Sequence, residues 1–204
     1  MKVVVFGACG KTGRELVDEL LRNHHVVAFC KHPAGLPTDE KLTTIAGDAL
    51  NPFVVDKAIN GTDAVMCTLG VKPSEKKDVL SAATANILSS MIRFKVKRFV
   101  CETGYGTSES RAYLPFFYKF LLTLLLGRIL KDKERQEQLI EASNLDWIIV
   151  RPTILTSGSP KEKIQAAEKL KWNGFSGISR KDVAKFMADQ LNDNTWLRKK
   201  VAIT

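Results

Sequence analysis

The sequence has few of the residues that build metal and disulfide sites. Among 204 residues there are four cysteines and three histidines. No two cysteines form a C-x-x-C pair, and the histidines lack the spacing of metal ligands. These residues are Cys9, Cys30, Cys67 and Cys101, with His24, His25 and His32. We therefore expect four reduced thiols, no metal centre and a cytoplasmic protein.

The chain also lacks a basic stripe interleaved with aromatic residues. The formal net charge is +9 and the isoelectric point about 9.4, but the cations are scattered along the sequence. This favours a solvated basic surface and no nucleic-acid partner. There is no internal repeat, no low-complexity linker and no signal peptide pattern before the first apolar stretch at Lys2. A length of 204 residues fits one domain.

Three glycines spaced three residues apart follow that first apolar stretch. Val3–Phe6 predicts a short buried strand, and apolar side chains recur at helical intervals from Arg14 to Leu21. A glycine turn between strand and helix is typical of a dinucleotide site, because the backbone must approach the pyrophosphate closely. The alternative is a tight turn in an unrelated α/β protein. The predicted cofactor contacts are Gly7, Cys9, Gly10, Lys11, Thr12 and Gly13.

Strand and helix patterns alternate along the rest of the chain. Further strands are predicted over 26–30, 42–46, 63–67, 97–101, 146–150 and 201–204. Helices are predicted over 52–59, over 74–94 with Ser74 as N-cap, and over 180–191. A long helical stretch also follows the strand over 97–101 and ends near Asn144, whereas 161–170 fits either helix or strand. This order predicts an α/β, doubly wound, mostly parallel sheet over residues 1–204, a single NAD(P)-binding Rossmann domain. Ligands are expected at the carboxyl ends of the strands.

One segment, from Tyr113 to Leu130, is unusually apolar. Between Lys119 and Arg128 there are eight uncharged residues, far short of the ~20 needed to span a bilayer. Three interpretations compete. We favour a core helix, because burial is the commonest cause of all-round apolarity. The others are the wall of an apolar substrate site, and a contact with a protein partner or a membrane surface through 113–130.

The end of the second predicted strand carries no acidic residue. In dinucleotide folds an acid there binds the ribose 2′-OH, whereas a cation meets the 2′-phosphate of NADP. Lys31 stands eighteen residues after Gly13, His32 follows it, and the first acid is Asp39. The charge argument therefore favours NADP(H) as the cofactor. The alternative is a lysine that merely leaves the sheet into water.

Other candidates follow the later strands at the same edge of the sheet. Asp48 could accept from the adenine amino group or cap its own turn. Gly70 would let the backbone approach the cofactor closely. Thr103 and Tyr105 offer hydroxyl groups where substrate and nicotinamide should meet. The further cofactor candidates are Asp48, Ala49, Leu69, Gly70, Thr103, Pro152, Thr153 and Ile154.

The chain resembles the atypical short-chain dehydrogenases, and within them the NAD(P)H-binding group of NmrA-like proteins, flavin reductase and biliverdin reductase B. The resemblance rests on the glycine turn and on residues 47–48, 62–65, 143–152 and 178–184. It implies a Rossmann fold that binds NADP(H), with residues 153–180 forming a small cap on the substrate side. It also implies hydride transfer to a flat hydrophobic acceptor.

Two departures concern the catalytic groups. Most short-chain dehydrogenases use Tyr-x-x-x-Lys, in which the lysine lowers the pKa of the tyrosine. Lys133 matches that lysine, but Ile129 stands at the tyrosine position. The family usually has two serines in succession after the fifth strand, and Gly104 stands at the second of these positions. Thr103, Tyr105 and Lys133 remain as the candidate catalytic residues.

Two functions are consistent with this pattern. One is an NADPH-dependent reductase of a flavin, quinone or tetrapyrrole, in which water or the substrate supplies the proton. The other is a non-catalytic NADP-binding sensor or assembly protein, because the tyrosine acid is missing. The expected partner is a small hydrophobic acceptor, and the chain is expected to be a monomer or a dimer.

Overall fold

The computed structural model describes residues 1–71, 78–161 and 163–204. Within these ranges the chain forms ten β-strands, five α-helices and one 3₁₀ helix over Ser108–Tyr113. The strands are β1 (Lys2–Phe6), β2 (His25–Cys30), β3 (Leu42–Ala46), β4 (Ala64–Cys67), β5 (Arg98–Glu102), β6 (Asp146–Pro152), β7 (Ile154–Thr156), β8 (Ala166–Ala167), β9 (Gly177–Ser179) and β10 (Lys200–Ile203). The helices are α1 (Lys11–Leu21), α2 (Pro52–Ile59), α3 (Val79–Arg93), α4 (Phe116–Glu141) and α5 (Arg180–Asp189).

Eight of these strands form one sheet in the order β3-β2-β1-β4-β5-β6-β10-β8. Neighbouring strands are parallel except β10 and β8, which pair antiparallel. The order reverses between β1 and β4, and ligands of doubly wound sheets bind in the crevice at such a reversal. The predicted α/β fold with a doubly wound, mostly parallel sheet is confirmed.

Helices cover both faces of this sheet, which explains why its central strands are apolar runs rather than alternating patterns. One buried cluster joins Val5 of β1 to Leu16 of α1 and Met187 of α5. The other joins Phe6 to residues of α2, α3 and α4, including Ile140. The side chains of β1 from Val3 to Phe6 have no exposed surface. This rigid layer fixes the position of the glycine turn that follows.

Most element bounds agree with the sequence patterns, and the differences cluster near the carboxyl end. β6 continues two residues beyond its predicted end, so Arg151 and Pro152 lie within a strand and not after it. β7 and β9 form a separate parallel pair that sequence reasoning missed, because each has only three residues. Helix α3 is described from Val79. The predicted N-cap Ser74 lies outside the described residues.

The favoured interpretation of 113–130 as a core helix is wrong for one side of that helix. Phe116 is 87% exposed, and Phe117 and Leu124 are each 70% exposed. The physical reason is length: α4 has 26 residues and β6 has seven, or about 39 Å against about 23 Å. The carboxyl half of α4 is buried on the sheet, where Ile140 has no exposed surface. In the described part of the chain, no helix has the length and apolarity to cross a membrane.

Candidate functional site

Packing by itself already requires glycine at two positions of the turn between β1 and α1. Gly7 has φ +84°, and a Cβ there would lie 2.7 Å from the carbonyl oxygen of Thr68. A Cβ on Gly13 would lie 2.1 Å from the carbonyl oxygen of Gly7. Contacts below 3 Å to backbone atoms leave no room for any side chain. The turn is therefore pressed against the end of β4, at the strand-order reversal.

The amino end of α1 is open to an anion. Its N-cap is Gly10, and no side chain caps its first turn. In contrast, the side chain of Asn51 accepts from the Phe53 N–H at the start of α2. The Ser179 hydroxyl likewise accepts from the Asp182 N–H at the start of α5. Uncapped first-turn N–H groups and the helix dipole suit a phosphate, as a dinucleotide cofactor requires.

A crevice opens beside this turn at the carboxyl edge of the sheet, and it brings many of the predicted residues together. Of these, it is lined by Gly7, Gly10, Lys31, Asp48, Ala49, Leu69 and Gly70. Sequence reasoning did not single out its other lining residues, which are Phe29, Cys30, Gly47, Thr68, Val71, Val79, Leu80 and Ala83. A signal existed for the last three, because the helix after a strand lies beside that strand's carboxyl end.

Lys31 and Asp48 face each other across this crevice. The Lys31 Nζ lies 3.1 Å from the Asp48 Oδ2, and both side chains are about half exposed. Burial acts to raise the pKa of Asp48, but the Leu50 N–H, which donates to its carboxylate, and Lys31 outweigh burial and lower it. The ion pair holds Lys31 at the rim, while its exposure leaves the ammonium accessible to an anionic ligand.

Arg14 is a residue of this region that the sequence interpretation missed. Its guanidinium donates to the carbonyl oxygens of Cys9 at 3.1 Å, Ala34 at 2.7 Å and Gly35 at 3.1 Å. It thereby ties the glycine turn to the loop that follows Lys31. No sequence signal marks this role, because all three partners are backbone atoms, and those of Ala34 and Gly35 lie 20 and 21 residues from Arg14 in the chain.

The expectation of four free thiols is wrong for two cysteines. Cys9 and Cys30 form a disulfide with their Cα atoms 5.9 Å apart, a separation typical of disulfides. The register explains it: Phe6 is paired with Phe29, so the residues that leave β1 and β2 meet at one edge. The missed signal was this adjacency, which a search for C-x-x-C ignores. Cys67 and Cys101 are free and buried.

The crevice fits a dinucleotide on two further observations. Among residues 1–71, 78–161 and 163–204, a Cβ on Gly70 would meet no atom within 4 Å, so the packing of these residues does not require glycine there. The residue lines the crevice all the same, and close approach of a ligand would require it. Lys31 supplies a cation on the side of the crevice where a 2′-phosphate would be recognised.

The candidate catalytic residues lie beyond β5, outside the residues that line this crevice. The Thr103 hydroxyl donates to Glu137 at 2.7 Å, and the Lys133 ammonium donates to the Thr103 carbonyl oxygen at 2.7 Å. The Tyr105 hydroxyl donates to the Leu170 carbonyl oxygen at 2.5 Å, and burial raises the pKa of Tyr105. The structure thus brings Thr103 and Lys133 together. The protons of both hydroxyls are engaged by the protein, and the catalytic assignment stays a prediction.

Beneath them lies a buried charge network that sequence reasoning missed. Arg151 of β6 is 1% exposed and Glu137 of α4 has no exposed surface. The Arg151 Nε and Nη2 donate to the two Glu137 carboxylate oxygens at 2.9 and 2.6 Å. Arg151 and Lys200 also contact Glu109, and they outweigh its burial to lower the pKa of Glu109 to about 2. Arg151 therefore holds α4 against β6 through its contact with Glu137.

Glu102, the last residue of β5, is a buried carboxyl group beside the start of α1. The Thr12 hydroxyl donates to it at 3.4 Å, so the side chain of Thr12 turns inward. Burial raises the pKa of Glu102 to about 7, against the opposing charge of Lys133. A carboxyl group that holds a proton near neutral pH is unusual, and nothing in the sequence pattern marked it.

Several other predicted cofactor residues are not among those that line the crevice. Lys11 lines a separate surface depression with Arg180. The Thr153 hydroxyl donates to the Thr204 hydroxyl at 3.0 Å, and Ile154 opens β7 with 44% of its surface exposed. Pro152 is buried at the end of β6, and its carbonyl oxygen accepts from the Tyr105 N–H. His32 is exposed in the loop after β2.

Comparison with known proteins agrees with this geometry. The model of the NAD(P)H-binding family matches residues 7–194. The UPF0659 protein YMR090W of Saccharomyces cerevisiae is 26% identical over 223 residues, covering 100% of this chain and 92% of that protein.

Two solved structures share the fold. A short-chain dehydrogenase/reductase from Veillonella parvula in complex with NADP has 21% identity and a TM-score of 0.84, covering 99% and 93% of the two chains. ChuY, an anaerobillin reductase from Escherichia coli O157:H7, has 21% identity and a TM-score of 0.81, covering 100% and 96%. The match over residues 7–194 includes the glycine turn, Lys31 and Arg151. This chain therefore belongs to the NAD(P)H-binding family.

Proposed function

We propose that this protein is an NADPH-dependent reductase that transfers a hydride to a flat hydrophobic acceptor such as a flavin, quinone or tetrapyrrole. The observation that carries the proposal is the crevice at the strand-order reversal. It combines a glycine turn, an uncapped helix end and the exposed cation of Lys31. These features suit a pyrophosphate and a 2′-phosphate.

Each part of the cofactor has a proposed binding surface. The first-turn N–H groups of α1 bind the pyrophosphate, and Lys31 binds the 2′-phosphate. Asp48 and Ala49 would contact the adenine, and Leu69 and Gly70 would offer backbone beside the cofactor; all four line the crevice. Residues beyond β5 and β6 then flank the nicotinamide, because the cofactor of a doubly wound sheet extends across the carboxyl ends of its strands.

The chain's own residues bind and orient the cofactor and the acceptor, whereas water or the acceptor supplies the proton. Bound NADPH supplies the hydride. The hydroxyl groups of Thr103 and Tyr105 donate hydrogen bonds to the Glu137 carboxylate and the Leu170 carbonyl oxygen. Ile129 has no ionisable proton. A reduction that adds hydride to a conjugated acceptor needs one further proton, which solvent can deliver after the transfer. Residues 153–180 are proposed to cover the acceptor.

One solved relative supports the acceptor class and another supports the cofactor. ChuY is described as an anaerobillin reductase, and the Veillonella parvula protein was solved with NADP. Anaerobillin is a linear tetrapyrrole. Since the likeness to both lies below 25% identity, it supports the fold directly and the acceptor class only by analogy.

A second candidate function is a non-catalytic NADP sensor or assembly protein. The engaged hydroxyls of Thr103 and Tyr105 favour it, because both groups already donate hydrogen bonds within the protein. In this case cofactor binding would change association with a protein and not drive turnover. The expected sign is a complex that forms or dissociates when NADP is added.

A turnover assay separates the two functions. NADPH oxidation is followed with flavin mononucleotide, menadione and biliverdin as acceptors, each with a buffer blank and an NADH arm. The reductase proposal predicts a rate above the blank for at least one acceptor, with NADPH preferred. Rates equal to the blank for all three, together with intact NADP binding, would favour the sensor.

A further inference from the structure

The first three turns of α4 carry a continuous set of exposed apolar side chains, which we call the α4 face. Phe116, Phe117 and Phe120 are 87%, 70% and 62% exposed, and Leu124 and Leu125 are 70% and 64% exposed. Their spacing of one, three and four residues places most of them on one side of the helix. Exposed apolar sets of this size mark interaction surfaces and are uncommon elsewhere on soluble domains.

The opposite side of the same helix is already packed. Tyr118 and Leu122 contact a small buried cluster that contains Tyr105, Leu114 and Trp172. The rings of Tyr118 and Trp172 meet edge to face, with centroids 5.2 Å apart. The α4 face is therefore the outer surface of an anchored helix and not an element awaiting its place in the core.

A further exposed aromatic ring lies near the start of α4. Phe175 is 85% exposed, and it follows Gly174, which is packed against α4. A Cβ on Gly174 would lie 2.9 Å from the Tyr118 ring and 3.7 Å from Pro115. The loop after Trp172 therefore approaches the helix on the side of Tyr118, and Phe175 is not counted as part of the α4 face.

The charged residues within this part of the chain are all cationic. Residues 110–131 include four cations, Arg111, Lys119, Arg128 and Lys131, and no acidic residue. Arg111 is paired with Glu134 at 3.8 Å. Arg128 and Lys131 are exposed and continue the side of Leu124 by one and two helical turns. The apolar surface is therefore bordered by cations along the helix.

We propose that the α4 face docks reversibly on a membrane surface that contains anionic lipids. The phenylalanine rings enter the interfacial layer, and Lys119, Arg128 and Lys131 meet the phosphate headgroups. Apolar burial together with cation attraction supplies the two signals that stable membrane association needs. Charges at Lys119 and Arg128 keep the helix lying on the surface.

A second copy of the chain fits this surface less well. Two-fold pairing of α4 faces would bring Arg128 and Lys131 of both copies to one interface, because such contacts are self-complementary. Like charges at a shared interface oppose association. An anionic lipid surface satisfies the same cations instead.

Vesicle sedimentation tests the proposal. The full chain is mixed with phosphatidylcholine vesicles, with or without an equal share of phosphatidylglycerol, at low and high salt. We expect binding to the anionic vesicles that is at least about tenfold stronger than to neutral ones and that weakens with salt. Equal binding to both vesicle types, or binding to neither, would overturn the proposal.

Matched variants assign the binding to the α4 face. Phe116→Ser/Phe117→Ser/Phe120→Ser should reduce vesicle binding at least about tenfold, whereas Phe53→Ser, which removes an 82% exposed ring of α2, should not. Arg128→Glu/Lys131→Glu should remove the preference for anionic lipid, and Lys97→Glu should not. Cooperative thermal unfolding shows that each variant is folded. Retained binding in the triple variant would contradict the assignment.

Self-association is measured on the same proteins by sedimentation equilibrium. The proposal predicts that the triple variant changes vesicle binding and leaves the mass in solution unchanged. A dimer of the unmodified chain that the triple variant dissociates, with no binding to anionic vesicles, would show that a second copy is the occupant and would overturn the lipid assignment.

Discussion

Lys31 occupies the position where dinucleotide folds distinguish a ribose 2′-OH from a 2′-phosphate. Its ammonium is half exposed at the rim of the crevice and is paired with Asp48. Lys31→Glu removes an attraction for the phosphate and places two carboxylates side by side. We expect NADPH affinity to fall about 10- to 100-fold relative to NADH, the range for a hydrogen bond to a charged group. Fluorescence titration with each cofactor measures this ratio.

Two further variants sharpen the assignment of Lys31. Lys31→Ala removes the attraction without adding repulsion. It should also lower the affinity for NADPH relative to NADH, but by a smaller factor than Lys31→Glu. Lys57→Glu changes the charge of an exposed residue of α2 and should leave the ratio unchanged. A parallel loss of NADH and NADPH affinity in Lys31→Glu would mean that this lysine does not contact the 2′-phosphate.

Glu102 provides a prediction on stability and pH. Burial raises its pKa from 4.5 to about 7 in the folded chain. The folded state therefore holds the proton more tightly than the unfolded state. Protonated Glu102 therefore stabilises the folded state. This stabilisation is fully present below pH 4.5 and is lost as the pH rises to about 7. Glu102→Gln should raise the free energy of unfolding by up to about 3 kcal/mol above pH 7, and little below pH 4.5.

Urea unfolding across this pH range measures the difference. Glu40→Gln, at an exposed position, controls for the change in net charge. A constant difference between Glu102→Gln and the unmodified chain at every pH would contradict the assigned proton. The prediction is independent of catalysis, because it concerns only the folded and unfolded states.

The sequence identified single residues of the cofactor crevice better than those of the catalytic region. Gly7, Gly10, Lys31, Asp48 and Gly70 line the crevice, because each follows a strand whose end the pattern located. The pattern ended β6 at residue 150 and did not indicate the buried position of Arg151. Its partner Glu137 lies in a charged helix segment that looks solvent-exposed in sequence and is buried only by tertiary packing.

The contact between β6 and α4 is fixed by the ion pair of Arg151 and Glu137. Arg151→Met would leave the buried carboxylate without its cation, and we expect a loss of about 3–5 kcal/mol in the free energy of unfolding. Arg151→Met/Glu137→Leu removes both charges and should recover most of that loss. Lys200→Met, at the partly exposed edge of the same network, should cost about 1 kcal/mol or less.

Urea unfolding of the single and double variants forms a complete cycle. The account predicts strong coupling between Arg151 and Glu137. Additive losses in the double variant would show that the pair does not hold α4 in place. Thr103, which donates to the same carboxylate, should then keep its position in the single variants as well.

Elements were predicted well where the residues that flank them mark their ends. β3 and α2 have their predicted bounds, since Pro52 and the flanking polar residues mark the ends clearly. β7 and β9 are too short to carry periodicity. The amino half of α4 defeated the pattern differently: apolar side chains all round imply burial, but half of this helix has protein on only one side.

Taken as a whole, the molecule places two different surfaces at its carboxyl edge. The crevice lies at the strand-order reversal between β1 and β4, and the α4 face extends from the outer part of the same edge. The fold class could be predicted because alternating strands and helices admit few arrangements. The acceptor could not, because β7, β8 and β9, which belong to the segment proposed to cover it, have only two or three residues each and carry no periodic pattern.

The central claim is that the glycine turn and crevice bind a nicotinamide dinucleotide, and a fluorescence titration with NADPH tests it most directly. Gly70→Val adds a side chain where the protein leaves open space beside the crevice, whereas Gly127→Ala adds one in open space on α4. The account predicts saturable binding of one NADPH per chain, weakened at least about tenfold by Gly70→Val and unchanged by Gly127→Ala. A folded, unmodified chain that binds neither NADPH nor NADH would contradict it.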